Sequence, residues 1–207
     1  MLINLVKGLL PRRKILYDGR FFKDQWFSNW KVLEPILSSL IIELPQWKSI
    51  LDFGCGPGVM IDPMIAKGFS YLGCDYSQEA RQLYLTHYGK NPQSFVSNLT
   101  DVDMKKIDLF LSFDVFEHMT DSEISNVLNA TRPIKDYFLN ISRDIRTSGH
   151  INIKSDRAWI NFFKERGLFF NEELSERLRC HYEYLRPSSP DKWDKNIFIF
   201  KRCELQP

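Results

Sequence analysis

Short apolar runs alternate with amphipathic stretches along most of the chain. Seven of these runs predict strands, at about 48–53, 71–75, 94–96, 107–113, 137–142, 168–170 and 196–203. Helices are predicted between them, over 58–67, 77–88, 121–130, 155–166 and 172–185. Strands that alternate with helices at short intervals are typical of the α/β class. We therefore predict a doubly wound, mostly parallel, seven-stranded sheet.

The N-terminal part of the chain has a different pattern. Apolar residues recur at three- and four-residue steps over 18–44, which predicts helices there. We expect residues 1–44 to form a helical extension and residues 45–207 to form the main domain. Several aromatic residues of the extension either pack on the sheet or form a lid over a ligand: Tyr17, Phe22, Trp26 and Trp30.

Composition narrows the possible partners. Of the 207 residues, 43% are hydrophobic and 26% are charged, which is enough for a full core, and the net charge is +2. Lys and Arg are spread along the chain, so a nucleic-acid partner is disfavoured. The four cysteines form no Cys-x-x-Cys pair and have no histidine at zinc-ligand spacing. We interpret them as reduced thiols of a cytoplasmic protein, and we expect no metal.

The first residues are apolar but too few to span a bilayer as a helix. Residues 1–10 are apolar apart from Asn4 and Lys7, and a basic cluster follows at 12–14. Residues 1–14 either contact a membrane surface weakly or pack on the domain or a second subunit. No transmembrane segment is predicted.

The candidate chemistry begins where the first strand ends. Three glycines, Gly54, Gly56 and Gly58, follow Asp52 at every second position. Asp75 ends the second strand, 19 residues after Gly56, where an acid can accept hydrogen bonds from both ribose hydroxyls. Val59 stands where a dinucleotide-binding turn has its third glycine. The pattern therefore favours adenosine with an amino-acid tail, whose ammonium group would lie near Asp52.

Four motifs together resemble the class I S-adenosylmethionine-dependent methyltransferases, which have a Rossmann-like fold. The motifs are residues 51–58, 73–77, 97–99 and 108–119, and the resemblance covers about residues 48–203. It implies that the chain binds S-adenosylmethionine and releases S-adenosylhomocysteine. The cofactor-binding residues that it implies are Asp52, Gly54, Cys55, Gly56, Gly58, Asp75, Tyr76, Asn98, Leu99 and Phe113. Many members have Asp at the position of Asn98, and residues 132–136 replace the usual Pro-Gly-Gly turn.

Candidate residues for methyl transfer are few. His150 lies in a loop after the fifth strand, and His118 follows the fourth strand; either could act as a base. His118 could instead serve helix packing and capping. Arg143 could position the methyl acceptor, or it could form a solvated ion pair with Asp144.

No motif names the acceptor. The chain lacks an inserted substrate domain and the Asn/Asp-Pro-Pro-Tyr/Phe motif of amino-group methylation. We expect a small molecule or a sugar or glycan precursor, methylated at oxygen or nitrogen. The first alternative is a non-catalytic partner subunit that binds S-adenosylmethionine. The second is a nicotinamide-dependent oxidoreductase, which Val59 and the lack of a Tyr-x-x-x-Lys pair disfavour.

Overall fold

The computed structural model describes residues 38–42, 44, 46–89, 91–147, 149–185 and 196–203. Seven strands form one sheet in the order β3-β2-β1-β4-β5-β7-β6. The strands are β1 (Ser49–Phe53), β2 (Ser70–Cys74), β3 (Phe95–Val96), β4 (Leu109–Phe113), β5 (Asp136–Asn140), β6 (Leu168–Phe170) and β7 (Ile197–Arg202). β1 to β5 pair in parallel, whereas β7 runs antiparallel to β5 and β6. The predicted fold class is confirmed.

The direction of winding reverses between β1 and β4. From β1 the chain moves to β2 and β3 on one side, then crosses back to β4 and β5 on the other. Connections leaving the carboxyl ends of β1 and β4 therefore diverge to opposite faces and leave a crevice between them. The predicted motifs at 51–58 and 108–119 include the carboxyl ends of β1 and β4, which border this crevice.

Apolar runs become strands because both faces of the sheet are covered. Ile50 and Leu109 pack in the core on one face, and Leu51 and Phe110 pack in the core on the other. All five residues of β4 are buried. Central parallel strands buried on both faces read as continuous apolar runs, which is why their positions could be predicted from the sequence.

Within the part of the chain that the structure describes, the helices after β1 are α1 (Ile61–Ala66), α2 (Gln78–Leu83), α3 (Asp121–Ala130), α4 (Asp156–Lys164) and α5 (Glu172–Leu185). The side chains of Ser77 and Ser155 cap α2 and α4 by accepting hydrogen bonds from their first turns. At α3, Thr120 is the cap, and Glu123 completes a capping box with it.

Two helices differ from the prediction in extent. α1 begins at Ile61 rather than at 58 because Gly58 has φ +69°, which an α-helix cannot contain. α2 continues as a π-helix over Tyr84–Tyr88, where Gly89 N donates to Tyr84 O at 2.6 Å. The buried Tyr84 ring stacks on Phe95 at 5.2 Å between centroids, which holds this wider turn against the sheet.

Most of the predicted N-terminal extension lies outside the described residues. Residues 38–42 are helical, in agreement with the helical pattern over 18–44. The membrane-contact prediction for residues 1–14 and the division at residue 44 stay predictions. Among the described residues, no helix combines the length and the apolar character that crossing a bilayer requires.

Candidate active site

The glycine turn after β1 has a backbone that only glycine adopts easily. Gly54, Gly56 and Gly58 have φ values of +76°, +53° and +69°. A Cβ atom on Gly54 would lie 2.4 Å from Val115 Cγ2, and one on Gly58 would lie 2.7 Å from Ile61 Cδ1. Positive φ and close packing together explain why this turn uses glycine at every second position.

Asp75 closes the turn from the end of β2. Its Oδ2 accepts a hydrogen bond from Gly56 N at 2.9 Å, and its Oδ1 accepts one from Ser77 N at 2.8 Å. Burial raises the pKa of Asp75 to about 6, and these two hydrogen bonds oppose the rise. Because each carboxylate oxygen has a second lone pair, Asp75 can also accept from ribose hydroxyls.

Asp52 is a buried carboxyl group beside the turn, with 6% of its surface exposed. Its pKa is raised to about 7: burial is the main cause, a hydrogen bond from Tyr71 opposes the rise, and the nearby Asp75 adds to it. Tyr71 Oη donates to Asp52 Oδ2 at 2.9 Å. A carboxylate held in this way is suited to an ammonium group, because the positive charge would offset part of the free-energy cost of burying the carboxylate. Sequence reasoning missed Tyr71, whose only signal was its position 19 residues after Asp52 on the neighbouring strand.

The remaining predicted cofactor residues also follow β1 to β4. Tyr76 is 69% exposed, and Asn98 is exposed at the end of β3. Phe113 is 4% exposed and packs edge-on against Phe138, with 5.1 Å between ring centroids. Cys55 is buried, and Leu99 is partly buried. Their contacts with a cofactor stay predictions, but all lie at the carboxyl ends of parallel strands, where ligands bind in this fold.

These features fit S-adenosylmethionine better than a dinucleotide. The open glycine turn brings bare backbone next to two carboxyl groups, Asp52 and Asp75. Two acids suit a ribose and an ammonium group, whereas they would repel a pyrophosphate. α1 starts only at Ile61, after the third glycine of the turn.

A second group of side chains lies where the loops after β4 and β5 meet. His118 Nδ1 is 3.0 Å from Gly149 O, and His150 Nδ1 is 2.8 Å from Asp144 O. The two rings meet edge to face with 4.7 Å between centroids. The sequence predicted these histidines separately, and the structure places them in contact.

Glu117 lies beneath the two histidines and is fully buried. Its Oε1 accepts a hydrogen bond from Ser142 N at 3.0 Å and is 4.0 Å from His150 Nε2. Burial, and then the charge of Asp114, raise the pKa of Glu117 well above its usual value. Sequence reasoning did not select Glu117, although it stands next to His118 in the motif that follows β4.

His118 is neutral at physiological pH. Its pKa is lowered to about 4, because burial and then His150 lower it and the hydrogen bond to Gly149 O only partly opposes them. Its imidazole can therefore accept a hydrogen bond or bind a metal at neutral pH. A pKa this low makes it a weak base for most hydroxyl groups.

The side chain of Arg143 contacts Asp156, the first residue of α4, and Asn196, the residue before β7. Its Nη1 is 2.6 Å from Asp156 Oδ1, and its Nε donates to Asn196 Oδ1 at 3.1 Å. The expected alternative, an ion pair with Asp144, is wrong because Asp144 pairs with Arg146 at 3.1 Å. A role for Arg143 in positioning the acceptor stays a prediction. The predicted lid residues Tyr17, Phe22, Trp26 and Trp30 lie outside the described residues.

The fold and the glycine turn define the class as the class I S-adenosylmethionine-dependent methyltransferases. A family model described as a methyltransferase domain matches residues 30–133, half of the 207-residue chain. The chain belongs to this methyltransferase domain family, and its cofactor is S-adenosylmethionine.

Curated relatives match only part of the chain. A ubiquinone biosynthesis O-methyltransferase from Pelagibacter ubique is 32% identical over 76 residues, which cover 35% of this chain and 32% of that protein. The protein of the same name from Bartonella tribocorum is 31% identical over 87 residues, which cover 40% and 34%. The chain therefore spans about a third of the length of these relatives.

Solved structures share the fold at low identity. Magnesium protoporphyrin IX methyltransferase from Synechocystis, with bound S-adenosylhomocysteine, has a TM-score of 0.54 at 14% identity, over 74% of this chain and 89% of that one. A TehB-like S-adenosylmethionine-dependent methyltransferase from Corynebacterium glutamicum has a TM-score of 0.57 at 16% identity, over 89% and 100%. At these identities the likeness concerns the fold alone.

Proposed function

We propose that the protein transfers the methyl group of S-adenosylmethionine to a hydroxyl oxygen of a small molecule. The observation that carries the proposal is the group of Glu117, His118 and His150 in the loops after β4 and β5, which leave the same edge of the sheet as the cofactor turn. Val115, two residues before Glu117, packs directly against Gly54. Groups able to handle a proton therefore lie close to where the cofactor is expected.

The protein's own residues would bind and orient the two reactants. S-adenosylmethionine supplies an electrophilic methyl group on a sulfonium centre. Asp52 would hold the ammonium end of the cofactor, and Asp75 would hold its ribose, so that the methyl group points in a fixed direction. Val115 and Ile61 pack against the turn, and apolar side chains there would limit the access of water, which would otherwise compete with the acceptor as the nucleophile.

A hydroxyl acceptor must lose its proton during transfer, and the protein has to accept that proton. With its pKa lowered to about 4, His118 is a poor match for an aliphatic alcohol. A phenolic hydroxyl, with a pKa of about 10 as in tyrosine, is much easier to deprotonate. We therefore favour an aromatic hydroxyl over a sugar hydroxyl as the acceptor.

Partial similarity to two ubiquinone biosynthesis O-methyltransferases supports oxygen as the accepting atom. No comparison supports a glycan acceptor or a non-catalytic partner subunit. The intact glycine turn also argues against a subunit that has lost turnover.

The test is a transfer assay with a matched set of acceptors. We would incubate the protein with S-adenosylmethionine carrying a labelled methyl group and with phenols, catechols, aliphatic alcohols and amines of similar size. We expect label on the oxygen of a phenol or catechol, located by mass spectrometry. Label found only on nitrogen or carbon would contradict the proposal.

A binding test separates cofactor recognition from the choice of acceptor. S-adenosylhomocysteine should raise the melting temperature of the native protein. Asp75→Asn should weaken that binding about tenfold or more, because it removes one charged acceptor for the ribose hydroxyls. Glu183→Gln, on the exposed side of α5, is the matched control and should bind normally. A native protein that shows no shift at millimolar ligand would refute the cofactor assignment.

A further inference from the structure

We propose that Glu117, His118 and His150 form a binding site for a divalent transition-metal cation, with Zn²⁺ as the best match. The sequence predicted no metal because His150 is 32 positions after the adjacent pair Glu117 and His118, and the three residues follow no metal-binding motif. The inference goes beyond the proposed function, because it holds whatever the methyl acceptor is.

The three side chains already converge. One ligand atom from each residue can be chosen so that all three lie within 4.8 Å of one another. Ligands at about 2.0–2.1 Å from a zinc ion are separated by roughly 3.0–3.5 Å. Each side chain would therefore move inward by only about 1 Å, which a change of side-chain torsion can supply.

Backbone carbonyls set the tautomer of both imidazoles. Gly149 O and Asp144 O can only accept, so the nitrogen facing each of them, Nδ1, carries the proton. This leaves Nε2 with its lone pair on both rings. Metal-binding histidines in proteins are usually oriented by a hydrogen bond of this kind.

The buried carboxyl group of Glu117 is the oxygen ligand of the group, and it would bind the cation as the carboxylate. Its Oε1 is 4.0 Å from His150 Nε2, and its side chain is fully enclosed. A buried carboxylate is costly unless a cation or several donors accompany it. Ser142 N is one such donor, and Asp114 adds further negative potential beside it.

Two imidazoles and one carboxylate select the type of metal. Mg²⁺ and Ca²⁺ prefer oxygen ligands, whereas imidazole suits zinc and its transition-metal neighbours. Three protein ligands also leave a coordination position open, as in catalytic zinc sites. A hydroxyl group could occupy that position.

The surrounding loops are tied together before any metal arrives. The carbonyl oxygen of Glu117 accepts hydrogen bonds from Ile151 N at 2.9 Å and from Asn152 N at 3.0 Å. These bonds join the segment after β4 to the loop after β5. Because the backbone of both segments is held, little ordering entropy would be lost on binding.

The experiment measures metal binding directly with the 207-residue chain. The protein would be stripped with a chelator, and Zn²⁺ and Co²⁺ would be titrated by calorimetry and by visible absorption. We expect one ion per chain and a Co²⁺ spectrum typical of low coordination number. His118→Ala and His150→Ala should each weaken affinity on the order of a hundredfold, which is one ligand's share of a typical zinc-binding free energy.

Matched variants keep the test decisive. His87→Ala changes an exposed histidine of the π-helix and should bind metal like the native protein. Glu117→Gln can keep the hydrogen bond from Ser142 N while it removes the charge, so it tests the ligand even if His150→Ala fails to fold. Absence of a bound ion in the native protein, or equal affinity in His118→Ala and His87→Ala, would overturn the proposal. The cluster would then be a hydrogen-bonded network only.

This measurement is independent of the transfer assay. Metal binding without any oxygen methylation would refute the proposed function and leave the metal site standing. Oxygen methylation by a protein that binds no metal would do the reverse.

Discussion

The buried carboxyl group of Asp52 should make the protein less stable at neutral pH than at acidic pH. Its pKa rises from 3.8 to about 7, a difference of about three units. Each unit corresponds to about 1.4 kcal/mol, so burial of the ionised form costs up to about 4 kcal/mol. The folded protein binds the proton more tightly than the unfolded chain does. Protonated Asp52 therefore contributes stability to the folded protein. This contribution is fully present below pH 3.8 and is lost as the pH rises through 7.

Asp52→Asn isolates this effect. The amide oxygen can still accept from Tyr71 Oη, and the side chain is neutral at every pH. We expect the variant to be more stable than the native protein at pH 8, by up to about 4 kcal/mol, and the difference to shrink towards pH 4. Asp75 is present in both proteins, and its interaction with the charge of Asp52 is part of the effect that the variant removes.

The assay is urea unfolding of both proteins at several pH values, without cofactor. Glu183→Gln is the control and should show no such pH-dependent gain. The same Asp52→Asn variant should bind S-adenosylhomocysteine about tenfold more weakly or worse, because the ammonium group loses its carboxylate. A stability difference that stays constant between pH 5 and pH 8 would refute the reasoning.

Two further predictions concern the turn and a helix cap. Gly54→Ala should destabilise the protein and weaken cofactor binding, because it combines about 1–2 kcal/mol of backbone strain with a 2.4 Å contact to Val115 Cγ2. Gly68→Ala has a similar φ of +90° but no atom within 4 Å of the added Cβ, so it should show the strain alone. Adding Val115→Ala should recover part of the Gly54→Ala loss, and a fully additive double-mutant cycle would contradict the contact. Thr120→Ala should cost about 1 kcal/mol in thermal unfolding while cofactor affinity stays unchanged, and a change in affinity would show that α3 positions the site.

The order of strands along the chain and the cofactor turn could be predicted because their signals are local. β4 is buried on both faces, so it appears in the sequence as an apolar run whose length indicates the extent of the strand. The glycines at 54, 56 and 58 are required by backbone conformation, which neighbouring residues determine. For the same reason the caps at Ser77 and Ser155 were predictable.

Other features depend on contacts between distant segments, and only the tertiary structure decided them. Asp52 meets Tyr71 because β1 and β2 pair in a particular register, which no local pattern specifies. Arg143 pairs with Asp156 rather than with the adjacent Asp144. The π-helix after α2 likewise depends on Tyr84 packing against β3.

The group of His118, His150 and Glu117 shows most clearly the difference between what the sequence determined and what the tertiary structure decided. By itself, the sequence determined a Rossmann-like methyltransferase fold and a cofactor turn, and it offered His118 and His150 as separate candidates. The structure brought both rings together beside the buried Glu117, although the two histidines are 32 positions apart in the chain. That meeting follows from the parallel pairing of β4 with β5, which brings the loops after the two strands to the same edge of the sheet. Hydrophobic periodicity reports burial along one element, whereas a site assembled from two loops depends on how the elements pack.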